Sequence, residues 1–371
     1  MDVNPFRYTG PVSPRDLIGR DAETEQLQRM AEEGNNSRLV APRRYGKTSL
    51  LRRLTEEVRI DGWEAVYVDF FGVVTLADVA QRIDRAYARD LSRPIARWYD
   101  GLRRSLTGIQ VGAGPMKAGV TVAAGTAALQ DRLDLPRRVH AKHGRRVLVV
   151  FDEFQGVLTA QNDADALIRA EIQHHADVAS YVFAGSHVGM MRQLFGDRRR
   201  AFYAQARELA LPPLSVDETV AFLTSRFTQT GRDVGTALGP LLDVAAGHPQ
   251  RTILLAHSLW EHTPVGALAD EATFAAGLSV TLTELLSEFQ GVWSALVAGQ
   301  RRVLVQVAEN TAGLYAVGTA GRGGSVGTAL SALADRGEVV VDTAARTGHR
   351  VVDPLLGLWL REGRPQAWPE A

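Results

Sequence analysis

Apolar residues along this 371-residue chain change their spacing twice. Up to about residue 213, short apolar runs near 37–41, 64–70, 145–151, 179–185 and 206–210 alternate with helical stretches. The first helix is expected from Asp21, with Leu27, Met30 and Ala31 on one face. Continuous apolar runs separated by helices predict a parallel sheet covered on both sides. After Leu214 the strand signals stop. Ser215–Thr228, with Val216, Val220, Phe222 and Leu223, reads as a helix opened by Ser215, and further helices are expected near 235–246, 250–262 and 267–297. From about Ala298 a helix near Gln300–Glu309, a Gly-rich turn at Gly321–Gly324 and a helix at Val326–Arg336 precede apolar runs at Glu338–Val341 and Arg350–Val352. Helices followed by a two-stranded hairpin predict a winged helix-turn-helix. Asp353–Arg361 would close it as a helix with Pro354 in its first turn. The expected division is an α/β core at 1–213, a helical subdomain at 214–297 and the winged domain at 298–371. Residues 1–20 read as an extended arm. Between Leu106 and Ala124, Gly112, Gly114 and Gly119 among small apolar residues suggest a β-hairpin or flexible loop inserted in the core.

Chemistry enters between the first apolar run and the helix after it. Ala41-Pro-Arg-Arg-Tyr-Gly-Lys-Thr-Ser49 places a tight loop ending in Gly-Lys-Thr between a strand and a helix, the arrangement of a phosphate-binding P-loop. Unpaired N–H groups and the dipole at a helix start attract anions. Gly46 lets the backbone approach the phosphates, Lys47 would reach the β- and γ-phosphates, and the Thr48 hydroxyl would take one position on Mg²⁺. The general pattern wants Gly where this chain has Ala41. Arginine dominates the basic residues, and lysine occurs only at Lys47, Lys117 and Lys142. One of these falls where a compact ammonium on a flexible stem is needed. A second acidic site follows the apolar run Val147–Phe151 as Asp152-Glu153. In a Walker B pair the first acid holds Mg²⁺ and the second orients and deprotonates the attacking water.

Composition narrows the classes. Hydrophobic residues make up 45% and the formal net charge is +0, as in an ordinary globular protein. Overall neutrality gives no electrostatic case for general nucleic-acid binding. The absence of cysteine excludes disulfides, thiolate–zinc sites and thiol nucleophiles, and suits the cytosol. No apolar run has the length of a membrane helix, and Met1–Pro5 does not read as a signal peptide, so a cytoplasmic protein without membrane partners is expected. His140, His143, His174 and His175 lack metal-ligand spacing.

Taken together, the motifs resemble the STAND class of P-loop ATPases, in particular the archaeal-type ATPase group. The resemblance rests on Asn4-Pro5-Phe6 with Gly10-Pro11-Val12, Leu17–Arg20 with Glu23, Pro42–Leu50, Asp152–Gln155, Phe183–Ser186, Gly247-His248-Pro249, and Asp353-Pro354-Leu355 with Trp359-Leu360-Arg361. Within that group Ala41 is no departure. The resemblance implies an α/β P-loop NTPase core of AAA+ type, a helical lid and a winged helix used in nucleotide-dependent regulation, with ATP or ADP and Mg²⁺ as cofactors. It assigns Arg44, Tyr45, Gly46, Lys47, Thr48 and Ser49 to the phosphates, Thr48 and Asp152 to the metal, and Lys47, Asp152 and Glu153 to catalysis. Ile18-Gly19-Arg20 would pack over the adenine, Ser186 would be the polar sensor on the γ-phosphate or water, and His248, Pro249 and Arg251 would contact nucleotide from the lid. Arg198, Arg199, Arg200 and Arg207 follow the sensor strand, where an arginine finger is expected, with Arg200 the candidate taken. A protein partner or self-association is expected. The winged helix offers Thr328, Ser331, Arg336, Arg346, His349 and Arg350 to DNA, offset by Asp335, Glu338, Asp342 and Asp353. Two uses for it therefore stand: DNA contact, or packing against the lid or a partner. The expected function is an ATP-hydrolysing conformational switch. The alternatives are a DNA-binding regulator with nucleotide as a structural ligand and a non-hydrolysing scaffold for a protein partner.

Overall fold

The five apolar runs form one parallel sheet in the order β2-β3-β4-β1-β5, with β1 Ser37–Val40, β2 Glu64–Asp69, β3 Val147–Asp152, β4 Ala179–Gly185 and β5 Arg207–Ala210. The computed structural model describes residues 3–107, 118–311 and 326–364. The chain forms two units: an α/β unit of Arg20–Ala41 and Lys47–Leu211, and a helical unit of Met1–Gly19, Pro42–Gly46 and Pro212–Ala371.

In the α/β unit the register brings the strand ends into step. Val40 pairs with Gly185 and Ala210, and Phe151 pairs with Val68 and Phe183. The C-terminal ends of β1, β3 and β4 therefore finish together, where ligands of open α/β sheets bind. Both faces of β3 and β4 are buried, as their unbroken apolar runs require. Helices α1 (Asp21–Glu32) and α2 (Lys47–Ile60) cover one face. On the other face Val147, Val149 and Phe151 join a core supplied by α3 (Leu76–Asp90), α4 (Arg93–Thr107), α5 (Ala118–Leu133), α6 (Leu135–His143), α7 (Val157–Ala160), α8 (Ala164–Ile172) and α9 (Val188–Gly196).

Helix α5 corrects one expectation. From Ala118 onward the segment expected as a hairpin or loop is helical, while 108–117 lies outside the described residues. Its alanines, Ala118, Ala123, Ala124, Ala127 and Ala128, favour helix strongly enough to carry the glycines among them.

The helical unit contains α10 (Val216–Gln229), α11 (Leu238–Ala245), α12 (Pro249–Glu261), α13 (Glu271–Ser294), α14 (Ala298–Glu309) and α15 (Val326–Arg336). An antiparallel hairpin follows, β6 (Val339–Val341) with β7 (His349–Val351), and α16 (Pro354–Arg361) closes the unit. The turn expected at Gly321–Gly324 lies outside the described residues. One apolar core runs through the unit and includes Leu223, Leu241, Leu255, Leu304, Leu333 and Trp359. The N-terminal arm belongs to it, because Phe6 lies 5.3 Å from Phe227 and 6.4 Å from Phe222, ring centre to ring centre. Among the described residues no helix is long and apolar enough to cross a membrane.

Candidate functional site

The α/β unit gathers the acidic and hydroxyl groups at the ends of β1, β3 and β4. Helix α2 begins at Lys47 and carries no acid in its first turn, so nothing on the helix offsets its positive end. Lys47 is 6% exposed, and its Nζ donates to the Ala41 carbonyl at 2.9 Å. Ser49 is buried beside it. Thr48 Oγ1 donates to Asp152 Oδ2 at 3.3 Å, and the Glu153 amide donates to Asp152 Oδ1 at 2.9 Å. The Tyr67 hydroxyl also donates to Asp152 Oδ2. Burial raises the pKa of Asp152, opposed by the Tyr67 and Glu153 donors and by the charge of Lys47.

Glu153 follows with φ of +49°, a left-handed backbone that non-glycine residues adopt at a cost. Its Oε2 accepts from Ser186 Oγ at 2.9 Å and from Gln155 Nε2. Behind it the Phe154 ring stacks 6.0 Å from Phe151 and lies 4.7 Å from Phe183, which fixes the turn carrying the strained residue. Of the sequence-predicted residues, Thr48 and Asp152 form one hydrogen-bonded group, Glu153 and Ser186 a second, and Lys47 bonds to Ala41 of its own loop. Their hydroxyl and carboxylate oxygens are hard donors of the kind Mg²⁺ takes alongside phosphate oxygens. Among the described residues no cluster of three His, Asp or Glu side chains offers an all-protein metal cage. Thr48 and Asp152 are the hydroxyl–carboxylate pair that could hold Mg²⁺ alongside a phosphate ligand.

The arginines expected near the sensor strand have local partners or are exposed. Arg200 donates to the Asn162 carbonyl at 2.6 Å and pairs with Asp165 at 3.4 Å, at the start of α8. Arg198, Arg199 and Arg207 are exposed, and Arg199 pairs with Asp197. Arg20, in the α/β unit, is bound to Glu23 at 2.8 Å, and its carbonyl accepts the Thr24 amide at the start of α1.

The helical unit holds the middle of the P-loop. Gly46 has φ of +83°, a conformation costly for any residue with a Cβ. Tyr45 is buried, its ring 5.1 Å from that of His248, and its hydroxyl accepts from Arg350 Nη2 at 3.0 Å. Arg44 forms an ion pair with Glu288 of α13. His248 caps α12, its Nδ1 accepting the Arg251 amide at 3.3 Å, with Pro249 in the first turn. Burial drops the His248 pKa to about 4. The Arg251 side chain is 1% exposed. Its Nε donates to both Asp353 oxygens at 3.0 Å and its Nη2 to Glu288 at 2.8 Å, while Nη1 has no partner among the described residues. Asp353 caps α16 as well. Ile18 is buried, and a Cβ on Gly19, where φ is +61°, would lie 2.3 Å from Glu218 of α10. The left-handed backbone favours glycine there.

Sequence reasoning missed Tyr67, Gln155 as a partner of Glu153, and Glu288. Tyr67 had a usable signal once the β2–β3 register is known. It pairs with Val150, so by strand alternation it shares a face with Asp152. Glu288 lies mid-helix and carries no local mark.

No known family model matches the sequence, nor does any curated protein sequence. Solved structures do match over almost the whole chain. The Walker-type ATPase PABY2304 of Pyrococcus abyssi superposes with a TM-score of 0.69 at 16% identity, covering 96% of this chain and 99% of that one. The fold is that of a P-loop ATPase. The ORC2 protein of Aeropyrum pernix in its ADPNP–ADP complexes matches with a TM-score of 0.58 at 17% identity over 96% of this chain and 95% of its own. Its ADP form gives 0.53 at the same identity. These likenesses show the α/β fold, in agreement with the five-stranded parallel sheet.

Proposed function

We propose that this protein is a Mg²⁺-dependent, STAND/AAA+-like ATPase that hydrolyses ATP slowly and uses nucleotide to switch conformation. The observation that carries the reading is the pair of linked groups in the α/β unit: Thr48 on Asp152, and Ser186 on Glu153. Thr48 and Asp152 would hold the metal. Glu153, fixed by Ser186 and Gln155, would orient and deprotonate water, and Lys47 would neutralise phosphate charge. The nucleotide complexes of the Aeropyrum pernix ORC2 protein support ATP or ADP as the ligand class.

The switch is supported by the helical unit. Arg44 and Tyr45, in the middle of the P-loop, are engaged by Glu288, His248 and Arg350. A phosphate drawing on the loop would compete with those partners. We read 298–371 as a winged helix whose terminal helix is a clamp. The competing DNA-reading use is favoured by exposed Thr328, Ser331 and Arg336 on α15, but Arg350 of the wing is already bound to Tyr45.

Steady-state phosphate release tests the reading. The wild type should turn over ATP in Mg²⁺. Glu153→Gln should bind ATP yet hydrolyse roughly a hundredfold more slowly, the usual contribution of general-base assistance. Wild-type turnover by that variant would place the base elsewhere.

A further inference from the structure

Tyr67 belongs to no P-loop motif, yet it is the most constrained side chain beside the acidic site. It lies on β2, the edge strand, so one side of its backbone has no neighbouring strand. Side chains from the end of α3 take that place. The Tyr67 amide donates to Asp90 Oδ2 at 2.9 Å, and its carbonyl accepts from Arg89 Nη2 at 2.7 Å. Arg89 and Asp90 are themselves an ion pair at 2.6 Å, so one two-residue clip bolts the tyrosine backbone. From this fixed base the phenol crosses to β3 and its hydroxyl donates to Asp152 Oδ2, the same oxygen that receives Thr48 Oγ1 at 3.3 Å. The other oxygen, Oδ1, is held by the Glu153 amide at 2.9 Å.

Asp152 is only 4% exposed. A buried carboxylate is costly unless its lone pairs are filled, and each donor that fills one also fixes its rotation. A phenol hydroxyl facing a carboxylate serves as a donor. We propose that Tyr67 is a positioning residue for Mg²⁺: its hydroxyl, anchored through the Arg89–Asp90 clip, sets the orientation in which Asp152 and Thr48 together receive the ion. The inference rests on the Mg-nucleotide reading above.

Tyr67→Phe removes one oxygen and keeps the ring, so it isolates the hydrogen bond. The measurement is binding of a fluorescent ATP analogue by anisotropy, titrated with MgCl₂ and, separately, in EDTA. A hydrogen bond to a charged group changes a binding constant by about tenfold. The Mg²⁺ concentration for half-maximal binding should rise by about that factor, while affinity in EDTA stays within about twofold. This split separates positioning from packing, since a packing defect would weaken binding in both series. An unchanged Mg²⁺ midpoint, or equal losses with and without metal, overturns the role of Tyr67. Failure of the underlying reading looks different: wild-type binding would be indifferent to Mg²⁺ and to Lys47→Ala.

Discussion

Lys47 is a buried ammonium whose Nζ bonds to Ala41 of its own loop. A buried cation needs electronegative partners, and phosphate oxygens would be stronger ones than a peptide carbonyl. Lys47→Ala should therefore weaken ATP binding at least tenfold, about 1.4 kcal/mol, by calorimetric titration. Unchanged affinity in a folded variant would remove the P-loop reading. A second residue-scale consequence concerns acid. Burial holds His248 neutral, with its pKa depressed to about 4, whereas an unfolded histidine titrates near its ordinary 6.5. Below that ordinary value the unfolded chain binds a proton that the folded chain refuses. The stabilising effect of the neutral ring is complete above 6.5 and is lost as pH falls toward 4, by up to about 1.4 kcal/mol per pH unit. His175, buried against Tyr181 with its pKa also near 4, adds to the same slope from the α/β unit. His248→Asn keeps a helix cap but cannot titrate. Its denaturant midpoint should fall less steeply between those pH values than that of the wild type, and equal slopes would contradict the assignment.

At the scale of elements, α12, α13 and α16 are joined by one guanidinium. Arg251 of α12 binds Asp353, the cap of α16, and Glu288 of α13. Breaking a buried pair is costly because a charge is left without its partner. Asp353→Asn can still cap α16 but withdraws the charge, so it should lose about 3 kcal/mol in denaturant unfolding. A loss within experimental scatter would mean that Glu288 alone suffices. These three helices also show what could be read beforehand. The helices of this unit, and the five strands, follow from apolar spacing and from Ser215, Pro249 and Pro354 at the starts of α10, α12 and α16. The P-loop and Walker acids were legible because phosphate chemistry requires those residue types in that order. Helix α5 was misread because its glycines were given more weight than its alanines. Glu288 and Tyr67 could not be read from the sequence alone. Glu288 meets Arg44 only through the tertiary fold, and Tyr67 meets Asp152 only after strand register is fixed.

For the molecule as a whole, the helical unit bears on function through the loop residues it includes, Pro42–Gly46. If nucleotide acts on that loop, it acts on residues that the helical unit holds through Glu288, His248 and Arg350. Trp359 is buried 5.8 Å from Phe289 and 6.3 Å from Trp293, ring centre to ring centre, so α16 is clamped on α13. Losing that ring should cost about 3–5 kcal/mol within the helical unit. Trp359→Ala should then raise protease cleavage around residues 295–300, where α13 gives way to α14, and should weaken the dependence of that cleavage on ATP-Mg²⁺. A protein that instead reads DNA independently would depend on Arg322, Arg336 and Arg350. Arg322 lies outside the described residues, Arg336 is exposed, and Arg350 donates to Tyr45. Replacing all three with alanine, and measuring DNA affinity at two salt concentrations beside ATP-dependent proteolysis, separates the two uses. Loss of proteolytic ATP-dependence with little change in DNA affinity supports the switch. A large loss of salt-sensitive DNA affinity with proteolysis unchanged would make the C-terminal domain a DNA reader and overturn the clamp.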